Sequence, residues 1–461
     1  MTLDSSIFKA YDIRGIVGES LTIDVVESIG KAIGSMILES GGNTLCVGRD
    51  GRLSGPVLME ALVKGVLSTG ANVFDVGQVT SPILYFSTHQ LKTGNGIIIT
   101  GSHNPPEYNG LKIVLDFAAL YGEQIQSIRE RIEKKDFYQG TGELSYHDVT
   151  SDYIQRISSD IKLAKPINIS VDCGNGVAGA FAAKVYRSIG CSVDELFCEV
   201  DGNFPNHHPD PSQPKNLQDL ISHIASSESQ IGLAFDGDGD RLGVIAKNGN
   251  IIYPDRLMML FASDVLSRCP AGEVIFDVKC SRNLSKWIAN AGGMPKMWRT
   301  GHSLIKAEMR KSGSPLGGEM SGHFFFKERW FGFDDGIYAG ARLLEYLSKQ
   351  ESIDDTFTSL PNSLSTPEIQ IKCSEGENFS IIEELKKTAK FPTAQEKITI
   401  DGLRLEYADG FGLARASNTT PTIVLRFESD SQDGLARIHN EFKEAFRQIN
   451  ENLGFPEIIP A

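Results

Sequence analysis

The sequence predicts an α/β protein built from three related units followed by a shorter α+β tail. Short β-branched runs alternate with helical stretches, the pattern of parallel strands joined by crossover helices, and the alternation occurs three times. In the first unit NTLCVGRD (43–50), ANVFDVG (71–77) and GIIITGSHN (96–104) read as strands, with the helix-like PVLMEALVKGVLSTG (56–70) between the first two. INISVDCGNG (167–176), CSVDELF (191–197) and IGLAFDGDGD (231–240) repeat that order. A weaker third copy runs through EVIFDVKC (273–280), MPKMWRTGH (294–302) and PLGGEMSGH (315–323). The spacing differs between copies, which indicates domain duplication and not a solenoid of fixed period. Strands near PEIQIKC and TPTIVLRFE and helices near FSIIEELKKTAK and LARIHNEFKEAFRQI set the tail apart. The expected boundaries are 1–149, 150–250, 251–363 and 364–461.

Bulk properties narrow the function. A chain of 461 residues has room for several cores and the clefts between them, where small ligands bind. With 41% hydrophobic and 23% charged residues it has an ordinary globular composition. The N-terminal MTLDSSIFKAYDIRG carries an early acid and no basic region leading into an apolar stretch, so a signal peptide is not expected. No segment reaches the roughly 18 uncharged apolar residues of a membrane span. Seven scattered cysteines without a C-x-x-C pair suit reduced thiols in the cytoplasm. A net charge of −14 disfavours nucleic acid as a partner. It also means that an anionic ligand needs a local cluster of Arg and Lys to overcome the overall field.

Each unit's third strand runs into a polar, glycine-rich loop, the position where open α/β sheets place ligand contacts. In TGSHNPPEYNG (100–110) an apolar strand leads into Gly101, Ser102 and His103, and Pro105 and Pro106 stop the ladder. Ser102 is expected on an exposed rigid turn; a surface turn former is the alternative on this loop alone. In FDGDGDR (235–241) the carboxylates of Asp236, Asp238 and Asp240 alternate with glycines that let the backbone fold tightly. Three crowded carboxylates repel unless a cation joins them. A calcium EF-hand is rejected, because its loop needs Gly at the sixth and Glu at the twelfth position, where this chain has Arg241 and Lys247. Acidic ligands with room for waters and a phosphate oxygen suit Mg²⁺; a solvated acidic turn is the alternative.

Two further segments complete the candidate set, and a third is a rival. GGEMSGHFFF (317–326) places Glu319, Ser321 and His323 at alternating positions, so an extended segment would point all three to one face, suited to sugar hydroxyls. A half-buried structural histidine is the alternative for His323. ARASNTTPT (414–422) groups Arg415 with hydroxyls and amides that can bind a phosphate dianion, or else forms a plain polar loop. The rival is VDCGNGVAG, where Gly174, Gly176 and Gly179 form G-x-G-x-x-G after a strand with Asp194 about 20 residues on, the fingerprint of an NAD-dependent oxidoreductase. That motif is weak alone, and a tight strand-to-helix turn explains the glycines equally well. There is no P-loop G-x-x-x-x-G-K-[ST].

Taken together, FKAYDIRG (8–15), TGSHNPPEYNG, DGDGDR, TGHSLIK (300–306), GEMSGHFFFKERWFGFDDG (318–336) and RASNTTP (415–421) resemble the α-D-phosphohexomutases, specifically the bacterial phosphomannomutase/phosphoglucomutase branch. The resemblance spans nearly the whole chain in the family's order. It implies three related, mixed-sheet α/β domains plus a C-terminal α+β domain around one central active-site cleft. It implies that Ser102 is phosphorylated, and that its phosphate completes a Mg²⁺ shell with Asp236, Asp238 and Asp240. Arg14, Lys112 and Arg241 are then the stabilising cations, and His103 and Lys112 the candidates for proton transfer. Tyr11, Lys279 and His302 would line the cleft, and Glu319, Met320, Ser321, Gly322 and His323 would hold the sugar. Arg415, Ala416, Ser417, Asn418 and Thr419 would hold the phosphate not being transferred. Ala416 stands where the family pattern often has proline. The implied activity interconverts hexose 1- and 6-phosphates of mannose and glucose, with glucose 1,6-bisphosphate as activator, in a cytoplasmic monomer. A phosphoglucosamine mutase, a phosphatase and the NAD enzyme are the alternatives.

Overall fold

A computed structural model describes residues 3–374, 376–418, 420–451 and 453–457. The first sheet contains β1 (Ile13–Ile16), β2 (Thr44–Arg49), β3 (Asn72–Gln78), β4 (Gly96–Ile99), β5 (Tyr108–Leu115), β6 (Ala118–Ala119) and β7 (Leu144–Tyr146), in the order β1-β5-β4-β2-β3-β7, with β6 on β5. The second contains β8 (Asn168–Asp172), β9 (Ser192–Leu196), β10 (Ile231–Phe235), β11 (Leu242–Ala246) and β12 (Ile251–Ile252), ordered β12-β11-β10-β8-β9. In the third, β13 (Glu273–Asp277), β14 (Met294–Trp298), β15 (Leu316–Gly318) and β16 (Phe324–Phe326) run β14-β13-β15-β16.

These orders share one motif. In each unit the third strand (β4, β10, β15) pairs parallel with the first (β2, β8, β13), which pairs parallel with the second (β3, β9, β14). The chain then reverses and returns antiparallel as β5, β11 or β16. The sheets are therefore mixed, unlike the purely parallel sheets that strand–helix alternation alone suggests, because the returning strand follows a short loop and needs no helix. Those three loops are the Ser102 loop, the aspartate loop and the Glu319–His323 loop, which occupy equivalent ends of three related sheets. The third strands are fully buried, and in β4 and β10 this gives the near-continuous apolar runs GIII and IGLAF.

The tail has its own sheet: β17 (Leu364–Ser365), β18 (Ile369–Lys372), β19 (Glu396–Ile398), β20 (Leu403–Tyr407), β21 (Gly410–Ala416) and β22 (Thr422–Ser429). Helices Glu377–Thr388 and Gln432–Ile449 supply the partners of its core. A single apolar cluster joins the first three units, including Phe86, Tyr153, Phe235, Trp330 and Tyr338. The junction between tail and third unit combines a small apolar cluster, in which Val278 and Met297 meet Phe411 and Leu413, with polar contacts. Arg404 donates to the carbonyls of Val278 (2.6 Å) and Cys280 (2.7 Å), and Arg426 lies 3.2 Å from Asp255. Relative domain motion is the expectation for such a junction unless it is large and hydrophobic. All seven cysteines are free thiols, and no helix among the described residues is long and apolar enough to cross a membrane.

Candidate active site

The Ser102 loop is held by a residue that the sequence reading did not single out. Arg52 is buried, and its guanidinium donates to the carbonyls of Ser102 (2.8 Å), Asn104 (2.6 Å), Pro105 (2.7 Å) and Tyr108 (3.0 Å). Its Nε lies 3.3 Å from Asp50 Oδ2, which accepts from the Thr100 hydroxyl at 2.7 Å. A Cβ on Gly101 would stand 2.4 Å from Arg52 Cζ, so only glycine lets the loop pass this close. Ser102 itself sits at φ +47, a left-handed conformation uncommon for serine. Far from standing exposed as expected, it is 2% accessible at the floor of the cleft.

Two side chains face the Ser102 hydroxyl. Its Oγ donates to Asp236 Oδ2 at 3.0 Å and lies 3.2 Å from His103 Nδ1. Burial, reinforced by the charges of Arg241, Arg14 and Lys112, pushes the His103 imidazole well below its ordinary range, so it is neutral at physiological pH. The His103 carbonyl accepts from His208 Nε2.

Asp236, Asp238 and Asp240 are fully buried, with one ligand oxygen of each within 4.8 Å of the others. The Asp236 carboxyl is raised well above the usual carboxylate range, by burial and then by its neighbours Asp240 and Asp238. Lys112 Nζ bridges Asp238 Oδ2 (2.6 Å) and Asp240 Oδ2 (2.5 Å). Although burial works against its charge, those two carboxylates hold the ammonium well above its ordinary value, so Lys112 is fixed as a cation. Ser81 donates a second hydrogen bond to Asp238 Oδ2 at 2.5 Å. Among the described residues Asp238 Oδ1 has no hydrogen-bond donor, and Asp240 Oδ1 faces His323 Nε2 at 3.2 Å without hydrogen-bond geometry. Buried orphaned carboxylate oxygens beside a serine hydroxyl suit a hard divalent cation, which would also remove the repulsion acting on Asp236.

The Glu319–His323 segment is not extended. Gly322, at φ +93, closes a tight turn between β15 and β16 in which Glu319 N donates to the His323 carbonyl at 2.9 Å. The expected one-face alternation is thus replaced by a turn, which still gathers the side chains: His323 Nδ1 lies 3.1 Å from Glu319 Oε2 and 2.8 Å from Ser321 Oγ. Burial alone would lower the His323 pKa, but Asp240 and Glu319 on either side raise it to about 9. The turn docks on the aspartate loop, with Leu242 N donating to the Gly322 carbonyl at 3.0 Å.

One cleft of about 1430 Å³ is lined by Tyr11, Arg14, Ser102, His103, Lys112, Arg241, Lys279, His302, Glu319, Met320, Ser321, His323, Arg415, Ser417 and Asn418. The three aspartates lie beneath its floor. Gly322 is outside the lining, Ala416 faces a second cavity, and Thr419 lies outside the described residues. Arg14 donates to Asn104 and to Asp12. Lys279 pairs with Glu368 at 2.6 Å, and burial with nearby Lys306 and Lys112 keeps His302 well below its ordinary pKa. Tyr11 donates to the Thr300 carbonyl at 2.9 Å and accepts from Asn418, and burial raises its phenol to about 12. Arg415 donates to Asp401 at 2.9 Å, and Asp401 also accepts from Thr300 N at 3.0 Å. Arg52, Ser81, His208, Glu368 and Asp401 were not singled out from the sequence; of these only Arg52, in the Asp-Gly-Arg run at 50–52, had a visible local signal.

The Gly174–Gly179 turn has a packing role. A Cβ at Gly179 would stand 2.1 Å from the Cys198 carbonyl oxygen and one at Gly176 3.0 Å from Gly237, and Val177 N donates to the Gly237 carbonyl at 3.1 Å. The glycines thus support the aspartate loop, leaving no exposed cradle for a pyrophosphate.

Four family descriptions cover this chain: phosphoglucomutase/phosphomannomutase alpha/beta/alpha domains I (residues 5–139), II (151–249) and III (253–364), and the C-terminal domain (368–445). A phosphomannomutase/phosphoglucomutase of Pseudomonas aeruginosa is 53% identical over 456 residues, covering 99% of this chain and 98% of its own length. A phosphoglucomutase of Neisseria gonorrhoeae is 55% identical over 458 residues, covering 99% of both chains. A crystal structure of a phosphoglucomutase/phosphomannomutase family protein from Burkholderia thailandensis superimposes with a TM-score of 0.95 at 52% identity, over 99% of this chain and 100% of that one. The repeated sheets, the three convergent loops and these full-length likenesses lead to one conclusion: this chain belongs to the phosphoglucomutase/phosphomannomutase family of α-D-phosphohexomutases.

Proposed function

We propose that this phosphohexomutase interconverts the 1- and 6-phosphates of mannose and glucose through a phosphorylated Ser102. The observation that carries the reading is the Ser102 hydroxyl, strained at φ +47 and 3.0 Å from Asp236, opening into a cleft ringed by Arg14, Lys112 and Arg241. Asp236, Asp238 and Asp240, with an oxygen of the seryl phosphate, would hold Mg²⁺. When bound, the metal supplies charge neutralisation for a phosphate that carries roughly −1.5 to −2.

In phosphoryl transfer the protein mainly positions groups and stabilises charge. A hexose hydroxyl attacks the seryl phosphorus, the P–Oγ bond breaks, and the hydroxyl proton ends on Oγ. His103 is the neutral base beside Oγ and relays that proton, whereas Lys112, fixed as a cation, serves as charge stabiliser with Arg14 and Arg241. Glu319, Ser321 and His323 grip the ring hydroxyls. Arg415, Ser417 and Asn418, with Thr419, hold the phosphate at rest. The hexose 1,6-bisphosphate turns end for end and returns its other phosphate to Ser102, so one phosphate site serves both halves, and free glucose 1,6-bisphosphate re-primes enzyme that has lost its phosphate. Closure of the tail over the cleft, about the junction that holds Arg404 and Arg426, would exclude water.

The site draws one loop from each proposed domain, 1–149, 150–250, 251–363 and 364–461. A cytoplasmic monomer acting on small phosphosugars fits the free thiols and the charge of −14. A coupled assay with Mg²⁺ and a trace of glucose 1,6-bisphosphate, offering glucose, mannose and glucosamine 1-phosphates in turn, tests the reading. Turnover of the first two supports it, whereas turnover of glucosamine 1-phosphate alone, or release of inorganic phosphate in place of isomerisation, contradicts it.

A further inference from the structure

In the Ser102 loop Arg52 takes the carbonyls of Ser102, Asn104 and Pro105, which leaves that of His103 between them. The donor for this last carbonyl comes from another unit: it is His208 Nε2, on the irregular segment that follows β9. His208 is half-buried and does not line the catalytic cleft, so it reaches the reacting atoms only through His103.

The segment around His208 is anchored by its neighbour. Both carboxylate oxygens of Asp172, buried at the end of β8, face His207 Nε2 at 3.0 and 3.1 Å, and His207 Nδ1 lies 3.0 Å from the His208 carbonyl oxygen. An acceptor at each ring nitrogen requires a proton on both, so His207 is an imidazolium. Burial works against that charge, but Asp172 keeps the His207 pKa above its ordinary value. One residue on, the His208 ring faces a carbonyl that can only accept, which fixes its proton on Nε2.

Close packing holds the same segment against both loops it joins. A Cβ at Gly174 would stand 3.0 Å from His207 Cε1, and one at Gly202 would stand 2.8 Å from the Gly51 carbonyl oxygen and 2.9 Å from Arg52 Cα. The Arg52 guanidinium lies over the Phe204 ring, 5.2 Å from its centre. The segment therefore meets the Ser102 loop through Arg52 and through the His103 carbonyl together. Holding that carbonyl fixes the peptide plane next to the His103 Cα. The His103 Nδ1 is 3.2 Å from the Ser102 hydroxyl, at the long edge of the reach a proton relay needs, so a small rotation of this peptide breaks the contact.

We propose that His208, anchored by His207, is a positioning residue that keeps the His103 ring in register with the seryl oxygen. The inference rests on the reading of His103 as the proton relay. Its test is single-turnover transfer from phosphorylated Ser102 to glucose 1-phosphate with Mg²⁺, in a double-mutant cycle. His103→Ala should slow transfer by about a hundredfold or more. His208→Ala should slow it by about tenfold or more, with the half-saturating sugar concentration within about twofold of the parent. His208→Gln, whose amide can donate to the same carbonyl, should recover at least about half of the parent rate. In the His103→Ala background His208→Ala should cost less than about twofold, because the group it positions is gone; a merely structural role would cost the same in both backgrounds. If His208→Ala folds poorly by circular dichroism, His208→Phe, which keeps a ring beside Phe204, takes its place. Full transfer by His103→Ala overturns the relay and this inference with it. A slow His103→Ala together with an unimpaired His208→Ala, equal losses in both backgrounds, or a His208→Gln variant as slow as His208→Ala overturns the positioning role alone.

Discussion

The hydroxyl of Ser102 and the carboxylate of Asp236 meet at 3.0 Å although 134 positions separate them in the chain, each at the end of the equivalent strand of a different sheet. In the proposed mechanism, duplication of a unit whose third strand ends in a polar loop lets each copy specialise, one as phosphate carrier, one as cation holder and one as sugar reader.

Arg52 is the first test of how that carrier is positioned. Arg52→Ala removes four donors to the Ser102 loop and leaves Asp50 buried without its partner, in a site where burial already raises the Asp50 carboxyl. The expected loss of stability is about 3–5 kcal/mol, read by urea unfolding. Arg52→Lys, which cannot reproduce the fork, should fold better yet turn over far more slowly than the parent.

Metal should matter to folding as well as to turnover. Chelation should abolish activity, and Mg²⁺ at about 100 times its Kd should stabilise the fold by about 2.7 kcal/mol, because it relieves the repulsion around Asp236. Asp238→Asn should lose most of that Mg²⁺-dependent shift in thermal midpoint. An unchanged shift would place the cation elsewhere.

His89 gives a pH signature. Burial holds its folded pKa at about 4, below the ordinary 6.5, so between these values the unfolded chain binds more protons than the folded one. Stability from this group is complete above pH 6.5 and is lost as pH falls toward 4. The difference in urea midpoint between pH 7 and pH 5 should therefore shrink in His89→Phe, which keeps the ring and removes the titration.

Tyr11 ties the first unit to the tail through Asn418 and to the third unit through the Thr300 carbonyl. Tyr11→Phe breaks both links without emptying the space. A KM for hexose phosphate raised several-fold, with a smaller effect on melting temperature, is the expected result of steady-state kinetics and calorimetry.

The sequence made the triplication and the location of the loops legible, because strand periodicity and dense Asp-Gly or Ser-His runs are local signals. Strand–helix periodicity alone did not reveal mixed sheets, since a returning strand such as β5 looks the same whether it pairs antiparallel or follows a crossover; the family resemblance supplied that expectation, and the sheets are mixed. The alternation expected at Glu319, Ser321 and His323 gave way to a turn because Gly322 takes a positive φ. Ser81 and His208 stayed hidden for another reason: their meaning lies in contacts to Asp238 and His103 more than a hundred residues away.

The most direct measurement is intact mass spectrometry of the protein after incubation with Mg²⁺ and glucose 1,6-bisphosphate, paired with glucose 1-phosphate turnover, for the parent and for Ser102→Ala. One phosphate on the parent, mapped to Ser102, with neither phosphate nor turnover in the variant, is the expected result. Full turnover by Ser102→Ala, or phosphate mapped to another residue, would contradict transfer through Ser102.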